Sequence, residues 1–267
     1  MKKIAIIIMS VLLSVPVQAN ATTVNSNQCI GHRGAMELAP EGTIANFKVA
    51  KEAGYTKFEC DVWHTQSGEF IICHDQTIKR LTGVNLPAYK LSTKNRKKYP
   101  IIYGKHVGRY PTQYFPTIQE VLHFAEENNM TPFFHLKRNS HSTFSKKALR
   151  KLNRIIKHYH RSNPVLFSSN ENIVRNMSKY HWNKGYLTGM RSRKQLRSAF
   201  SFAKKHSCKY VIHPFFRNKR PRKSDIKLAH KKGLKVMCYR IATERRAKQA
   251  LRLGEDFIIT NRIVFGK

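Results

Sequence analysis

Short apolar runs alternate along this chain with segments in which apolar residues recur at helical spacing. Nine runs have the length and composition of β-strands, and they begin near Gln28, Thr56, Phe70, Thr131, Val165, Lys184, Lys209, Lys235 and Asp256. The clearest helical segments span residues 44–53, 118–127, 145–159 and 223–232, and a glycine follows the first and the last. Strands that alternate with helices predict an α/β fold with a parallel sheet.

The second and third runs are too close together for a parallel crossover, which needs about a dozen residues or more. Ser67 and Gly68 lie between them and suit a two-residue hairpin turn, since glycine tolerates the positive φ of such turns. A turn centred there would place His74 directly opposite Asp61. Glu59 would lie on the same face as Asp61 because side chains alternate along a strand.

Without the hairpin arm, eight runs remain, which is the number that a closed parallel barrel needs. We therefore predict one (β/α)8 TIM-barrel domain over residues 22–267, with a β-hairpin extension after the second strand. Residues 76–115 fit the alternation poorly, and we predict that they form a long excursion over the barrel mouth. This excursion is either a plain connection or a lid over a substrate.

Residues 1–21 have the pattern of a secretory signal peptide. They combine Lys2 and Lys3 with an apolar stretch and a small-residue cleavage site at residues 19–21. The apolar stretch is shorter than the ~20 residues that a membrane-spanning helix needs. We therefore expect the protein to be exported, to the periplasm or out of the cell.

The chain is strongly basic, with 50 Lys and Arg against 15 Asp and Glu and a net charge of +35. The basic runs are spread along the chain and lack interleaved aromatic residues, so no nucleic-acid partner is expected. An attraction to anionic substrates or to an anionic membrane surface is the functional interpretation of this charge. A general bias of the lineage toward Lys and Arg is the alternative.

The five cysteines lie in apolar runs and lack the spacing of a metal site. We expect them to be buried small side chains. Cys60 and Cys73 would be diagonal neighbours across the predicted hairpin, and the sequence leaves open whether they form a disulfide.

Polar residues stand where several predicted strands end, and in a parallel barrel these ends form the active site. Two carboxylates suit a hard divalent cation, and an Arg and a Lys can neutralise a phosphate. Imidazoles complete such a site as acid and base, because they titrate near neutral pH. This set of residue types predicts hydrolysis of a phosphodiester. Its members are, in chain order, His32, Arg33, Glu59, Asp61, His74, His135 and Lys137.

The motifs around these residues are His32-Arg33-Gly34, Pro40-Glu41-Gly42-Thr43, Glu59-Cys60-Asp61-Val62, Gly68 and His74-Asp75, with weaker ones at residues 115–122 and 257–261. Together they resemble the glycerophosphodiester phosphodiesterases, over essentially all of the chain after residue 27. The resemblance implies a TIM barrel that hydrolyses glycerophosphodiesters to glycerol 3-phosphate and an alcohol. A small glycerophosphodiester or a phospholipid head group is the implied substrate.

The resemblance also implies roles for individual residues. His32 and His74 would be the acid and the base, without an assignment of which is which. Glu59 and Asp61 would bind calcium or magnesium. Arg33 and Lys137 would contact the phosphate.

Two residues depart from the family pattern. His135 stands where the family usually has a metal-ligating Glu. Because imidazole is neutral and softer than a carboxylate, the site either favours a transition metal or zinc or has lost its metal. Gly42 replaces the usual Asn, which is a milder change in a loop.

Two further residues are candidates for the substrate pocket. Tyr239 stands where the family often carries an aromatic residue and would line the pocket for the alcohol. His213 ends the strand predicted from Lys209, so the positional rule for barrel active sites makes it a candidate as well. We predict that most of the remaining histidines face solvent.

The sequence thus predicts an exported, metal-dependent glycerophosphodiester phosphodiesterase. Two alternatives stay open. The same barrel could cleave choline phospholipids in the manner of the phospholipase-D-like toxins. Alternatively, the change to His135 has impaired catalysis, and the barrel binds anionic surfaces through its charge.

Overall fold

The structure is a computed structural model that describes residues 24–141, 143–189, 192–218 and 220–266. The predicted signal peptide at residues 1–21 lies outside the described residues. Within the described ranges, we find no helix with the length and apolar character needed to cross a bilayer.

Within the described residues, nine strands form one sheet, and eight of them close into a parallel barrel. The strands are β1 Cys29–Gly31, β2 Lys57–His64, β3 Phe70–Ile72, β4 Thr131–Leu136, β5 Val165–Ser168, β6 Asn183–Leu187, β7 Tyr210–Pro214, β8 Lys235–Ile241 and β9 Phe257–Thr260. Their order in the sheet is β1-β9-β8-β7-β6-β5-β4-β2-β3, and a further pairing of β1 with β2 closes the circle. Strand β3 runs antiparallel to β2. The predicted barrel and hairpin extension are confirmed.

Helices follow most of the parallel strands, and most of these helices begin at a residue whose side chain caps the first turn. Thr117 caps the helix that begins at Ile118 and forms a reciprocal capping box with Glu120. The predicted helical segments match the structure to within a residue or two at each end. The helices are α1 Ile44–Glu52, α2 Lys79–Thr82, α3 Ile118–Glu127, α4 Lys146–His158, α5 Glu171–Met177, α6 Arg193–Lys205, α7 Lys223–Lys231 and α8 Glu244–Leu253.

Alternation along the strands separates two apolar layers. One layer fills the barrel interior and contains Ile30, Phe133, Val165, Phe167, Tyr210, Ile212, Met237 and Ile259. The strand residues between them, such as Phe134 and Val211, pack outward against the helices. The same alternation decides which polar residues at the strand ends point toward the barrel mouth.

The register of the hairpin differs from the prediction by one residue. Val62 pairs with Ile72, and His64 pairs with Phe70, so Cys73 rather than His74 lies opposite Asp61. The loop has three residues instead of two, because Thr65 N donates to Glu69 O and the intervening Gly68 adopts a φ of 78°. A three-residue hairpin loop uses a left-handed residue in this way.

The new register also separates the two cysteines of the hairpin. Cys60 packs outward in the layer between sheet and helices, whereas Cys73 packs with Trp63 in a separate cluster. All five cysteines are buried free thiols. The disulfide that the sequence left open is therefore absent from the structure.

The excursion over residues 76–115 folds around a small core of its own. Trp63, Ile71 and Cys73 contribute to this core from outside the excursion, and the excursion supplies its other buried members, Ile78, Leu81, Ala88, Leu91, Ile101 and Phe115. The hairpin face thus anchors the excursion beside the carboxyl end of β2. Its action as a lid stays a prediction.

Candidate active site

Two carboxylates form the centre of the site. Glu59 and Asp61 both point inward from β2, and they are only 4% and 3% exposed. Asp61 pairs in register with His135 of β4, whose Nδ1 donates to Asp61 Oδ1 at 2.9 Å. Lys137 Nζ lies 3.3 Å from the same oxygen. The prediction that His135 and Lys137 share a face is confirmed.

The two carboxylates differ in their electrostatic surroundings. Burial raises the pKa of Glu59 to about 8, and the negative charge of Asp61 adds to this effect. Burial also opposes ionisation of Asp61, but the hydrogen bond from His135 and the charge of Lys137 outweigh it and lower its pKa. Burial lowers the pKa of His135, so the imidazole tends to be neutral. A cation bound here would favour ionisation of both carboxylates.

His32 is held at the end of β1 by a residue from the last strand. Its Nδ1 donates to Asn261 Oδ1 at 2.8 Å, because an amide oxygen can only accept. Its Nε2 lies 3.9 Å from Glu59 Oε2. Burial, together with the charge of Arg33, lowers the pKa of His32 to about 4. The ring is therefore neutral near pH 7, with the lone pair on Nε2.

Arg33 adopts a left-handed backbone conformation with a φ of 51°, which is uncommon for a residue other than glycine. This turn lets its backbone N–H donate to Glu59 Oε2 at 3.2 Å. Its guanidinium donates from Nη1 to Glu41 Oε1 at 2.9 Å, and its Nε is buried without a partner. One donor of Arg33 is thus left without a partner inside the site.

A chain of ion pairs connects Arg33 to His74. Glu41 also accepts from Arg80, and Arg80 Nε donates to Asp75 Oδ2 at 2.6 Å. Asp75 Oδ1 in turn accepts from His74 Nδ1 at 2.6 Å. This hydrogen bond directs the Nε2 edge of His74 away from Asp75.

His74 reaches the site by a route that the sequence analysis did not anticipate. Strand β3 ends at Ile72, and the chain bends at residues 74–75, so strand alternation no longer governs where His74 lies. The imidazole borders a cavity of about 510 Å³ together with His135 and Lys137. A smaller adjoining space brings His74 beside Arg33 and Asp61. His74 therefore lies beside Asp61, as predicted, although its predicted register was wrong.

The donor set fits a divalent cation. Glu59, Asp61 and His135 each offer a ligand atom, and these atoms lie within 4.8 Å of one another. Two buried carboxylates side by side, one with a raised pKa, are the arrangement that a cation would stabilise. The residues present therefore fit the expected metal site.

The two additional pocket candidates have different outcomes. His213 is fully buried and points away from the barrel interior, because it has the same orientation as Val211 on β7. Its Nε2 donates to Glu255 Oε1 at 2.8 Å, so the prediction that it lines the pocket is wrong. Tyr239 does face the interior and packs against the apolar cluster inside the barrel. Its contact with an alcohol stays a prediction.

Sequence reasoning missed the supporting roles of Asn261, Glu41 and Arg80. Asn261 follows β9 two residues after Ile259, which faces the barrel interior, and this spacing was a usable signal. Glu41 lies in a motif that the sequence analysis singled out, but its partners are distant in sequence. Among the histidines expected in solvent, His64 is half-buried between Phe70 and Phe144.

Comparison with known proteins places this geometry in context. The family model described as "Glycerophosphoryl diester phosphodiesterase family" matches residues 32–264. A glycerophosphodiester phosphodiesterase of Caldanaerobacter subterraneus subsp. tengcongensis is 27% identical over 237 residues, which are 87% of this chain and 93% of that protein. Human glycerophosphodiester phosphodiesterase 1 is 31% identical over 124 residues, or 46% of this chain, and the match spans only 37% of the human protein.

Solved structures share the fold. A phosphodiesterase of Oleispira antarctica, solved in complex with the product sn-glycerol-3-phosphate, has a TM-score of 0.76 at 19% identity and covers 88% of this chain and 92% of its own. A glycerophosphodiester phosphodiesterase of Agrobacterium tumefaciens has a TM-score of 0.71 at 18% identity, with coverages of 89% and 97%. At these identities the likeness establishes the barrel fold alone. The family match over most of the chain shows that this protein belongs to the glycerophosphoryl diester phosphodiesterase family.

Proposed function

We propose that the protein hydrolyses glycerophosphodiesters to glycerol 3-phosphate and an alcohol, with the help of a bound divalent cation. The observation that supports this proposal is the buried pair Glu59 and Asp61, flanked by Lys137 and by two imidazoles at one end of the barrel. A phosphodiester anion repels nucleophiles, so its charge must be neutralised before attack. The positive groups around this acidic pair are suited to that task.

The two histidines receive different roles in this proposal. His32 is the base, because its lowered pKa keeps it neutral and the hydrogen bond to Asn261 leaves Nε2 free to accept a proton. His74 is the acid: its Nδ1 donates to the Asp75 carboxylate at 2.6 Å, so its Nε2 edge faces away from Asp75. It would donate the Nε2 proton to the leaving alkoxide. Arg33, through its unpartnered Nε, and Lys137 would bind the phosphate oxygens.

Glu59, Asp61 and His135 would hold the cation. When bound, a divalent cation neutralises phosphate charge and acts as a Lewis acid. Because His135 supplies a neutral nitrogen where a carboxylate is usual, we expect manganese or zinc to bind better than calcium. Metal content of the purified protein, measured by mass spectrometry, tests this preference.

The substrate is a small glycerophosphodiester, and the neighbour that holds sn-glycerol-3-phosphate supports this choice. Turnover of glycerophosphocholine should be detected with at least one of calcium, magnesium, manganese or zinc. Release of choline from a choline phospholipid, without glycerol 3-phosphate, would instead favour the phospholipase-D-like alternative. Inactivity with every metal, together with salt-sensitive binding to anionic vesicles, would favour a binding protein.

We further propose that the enzyme is exported, on the signal-peptide pattern of residues 1–21, and that it works at an anionic membrane surface. Exposed apolar side chains at the excursion support the second point. Ile102 and Tyr103 are 51% and 54% exposed, and their backbone N–H groups bind Leu81 O beside the ion-paired Arg80. Ile102→Ser with Tyr103→Ser should reduce co-sedimentation with phosphatidylglycerol vesicles. Ile263→Ser, at a residue that is 40% exposed and lies outside the excursion, should not. Equal binding by all three proteins would contradict the proposal.

A further inference from the structure

A second cationic site lies away from the residues described above. A groove of about 960 Å³ runs between the segment after β7 and one side of helix α8. We name it the arginine groove after the basic residues that line it, which are Arg217, Arg220, Arg245, Arg246, Lys248 and Arg252. Phe215 and Phe216 supply the apolar part of its wall.

The arginine groove lies on a different part of the barrel from the candidate active site. The active-site residues come from the ends of β1, β2 and β4, which are neighbours in the closed sheet. The groove is built on the segments that follow β7 and β8, and the sheet order places β5 and β6 between β4 and β7, with β9 between β8 and β1. The groove shares no lining residue with the cavities beside His74.

The groove carries positive charge that its own residues do not balance. Its one carboxylate, Glu244, pairs with Lys248 at 2.7 Å. Within the described residues, no ion pair joins Arg217, Arg220 or Arg245 to a carboxylate. Elsewhere in the fold, Arg193 and Arg197 both pair with Asp225. Among the described residues, the guanidinium groups of Arg217, Arg220 and Arg245 are thus gathered in one concavity without a carboxylate partner.

Two of these guanidinium groups are held in place by an aromatic ring. The guanidinium carbons of Arg220 and Arg246 lie 5.9 and 5.6 Å from the centroid of Phe215, which is 1% exposed. Arg246 also donates from Nη2 to the backbone oxygen of Phe215, and its Nε is buried without a partner. Side chains that are already ordered lose less entropy when a ligand binds.

We propose that the arginine groove binds a ligand that carries two or more phosphate groups. Guanidinium groups bind phosphate bidentately and remain charged at all physiological pH values. The volume of the groove is several times that of one phosphate, so a single phosphate would leave most of its guanidinium groups unused. A free polyphosphate and a multiply phosphorylated lipid head group share this chemistry.

Titration calorimetry of the full chain with inorganic tripolyphosphate at physiological salt tests the proposal. The variant Arg217→Gln/Arg220→Gln/Arg245→Gln should bind roughly 10- to 100-fold more weakly, because three charge-assisted contacts are lost. The matched control Lys146→Gln/Lys147→Gln/Arg150→Gln removes the same charge from the exposed face of α4 and should bind within about threefold of wild type. Equal weakening in both variants, or no binding by wild type, would overturn the proposal.

Two readouts separate this site from the catalytic one. Turnover of glycerophosphocholine should be the same in the groove variant as in wild type. Binding of tripolyphosphate is measured without turnover, so inactivity of the wild type toward glycerophosphocholine would contradict the proposed function and leave the binding result intact. Melting temperatures of the two variants establish whether both are folded. If the triple variant does not fold, the single substitution Arg245→Gln should still weaken binding. If wild type binds vesicles that contain phosphatidylinositol 4-phosphate and the groove variant does not, the ligand is a lipid head group. If wild type binds tripolyphosphate but not these vesicles, the ligand is a free polyanion.

Discussion

The hydrogen bond between Asn261 and His32 gives the sharpest test of the proposed base. Asn261 Oδ1 accepts from His32 Nδ1 at 2.8 Å and so fixes both the tautomer and the ring orientation. In Asn261→Ala, the Nδ1 proton loses this partner, and Nε2 is no longer directed toward the site. We expect a fall in kcat with little change in KM, because Asn261 contacts the histidine and not the substrate.

The size of this effect follows from the geometry. The hydrogen bond links a mostly buried imidazole to an uncharged acceptor, and its loss leaves a donor unsatisfied at a cost of about 1–3 kcal/mol. A factor of ten in rate corresponds to about 1.4 kcal/mol. The predicted fall in kcat is therefore roughly 5- to 150-fold.

Steady-state release of glycerol 3-phosphate from glycerophosphocholine measures the effect. Asn261→Asp is the matched control, because it keeps an oxygen acceptor at the same position and should retain turnover within about tenfold of wild type. Melting temperatures establish that both variants are folded. A folded Asn261→Ala protein whose kcat lies within about twofold of wild type would refute the idea that this contact positions His32 for catalysis.

Three further predictions concern metal, packing and pH. Removal of divalent cations with EDTA should abolish turnover and lower the melting temperature, since a ligand that binds only the folded state stabilises it; unchanged turnover would contradict the metal site. Leu91→Ala should lower the free energy of unfolding by about 2–4 kcal/mol in urea denaturation, because Leu91 is fully buried in the core of the excursion; a loss below about 1 kcal/mol would show that this core is loosely packed. Burial opposes protonation of His213, but the charge and the hydrogen bond of Glu255 outweigh this effect and raise the pKa of His213. The ion pair between His213 and Glu255 therefore stabilises the folded state fully below about pH 6.5, and this stabilisation is lost as pH rises through the raised pKa. The urea midpoint of wild type should therefore fall over this range more steeply than that of Glu255→Gln, and equal slopes would contradict the assignment.

Alternation along strands explains why much of the site could be predicted. Glu59 and Asp61 are two residues apart on one strand, and His135 and Lys137 are two apart on another. Once the strands are parallel neighbours, this spacing alone directs all four side chains to the barrel mouth. The prediction needed the fold class and the strand ends, and the sequence provides both.

The wrong predictions concern residues for which the alternation of side chains along a strand either ends or was not used. The hairpin loop takes three residues because Gly68 adopts a left-handed conformation, and a sequence with glycine at this point permits both loop lengths. His74 lies beyond the end of β3, so only the fold of the excursion determines its direction. For His213, alternation with the interior residues Tyr210 and Ile212 already indicated an outward orientation, but position at a strand end was given more weight.

The contacts between Glu41 and Arg80 could not be predicted from the sequence. Arg80 lies 39 positions after Glu41, in the four-residue helix α2 of the excursion. Its partners are fixed by the packing of the excursion against the hairpin, which depends on many residues at once. Pairings of this kind need the three-dimensional fold.

The most direct test of the central claim is the fate of glycerophosphocholine followed by phosphorus NMR. We expect wild type with a suitable divalent cation to convert the diester resonance to that of glycerol 3-phosphate, and folded His32→Ala and His74→Ala proteins to leave it unchanged. Turnover at the wild-type rate in either variant would refute the proposed mechanism, because the chemistry would then be carried by other residues.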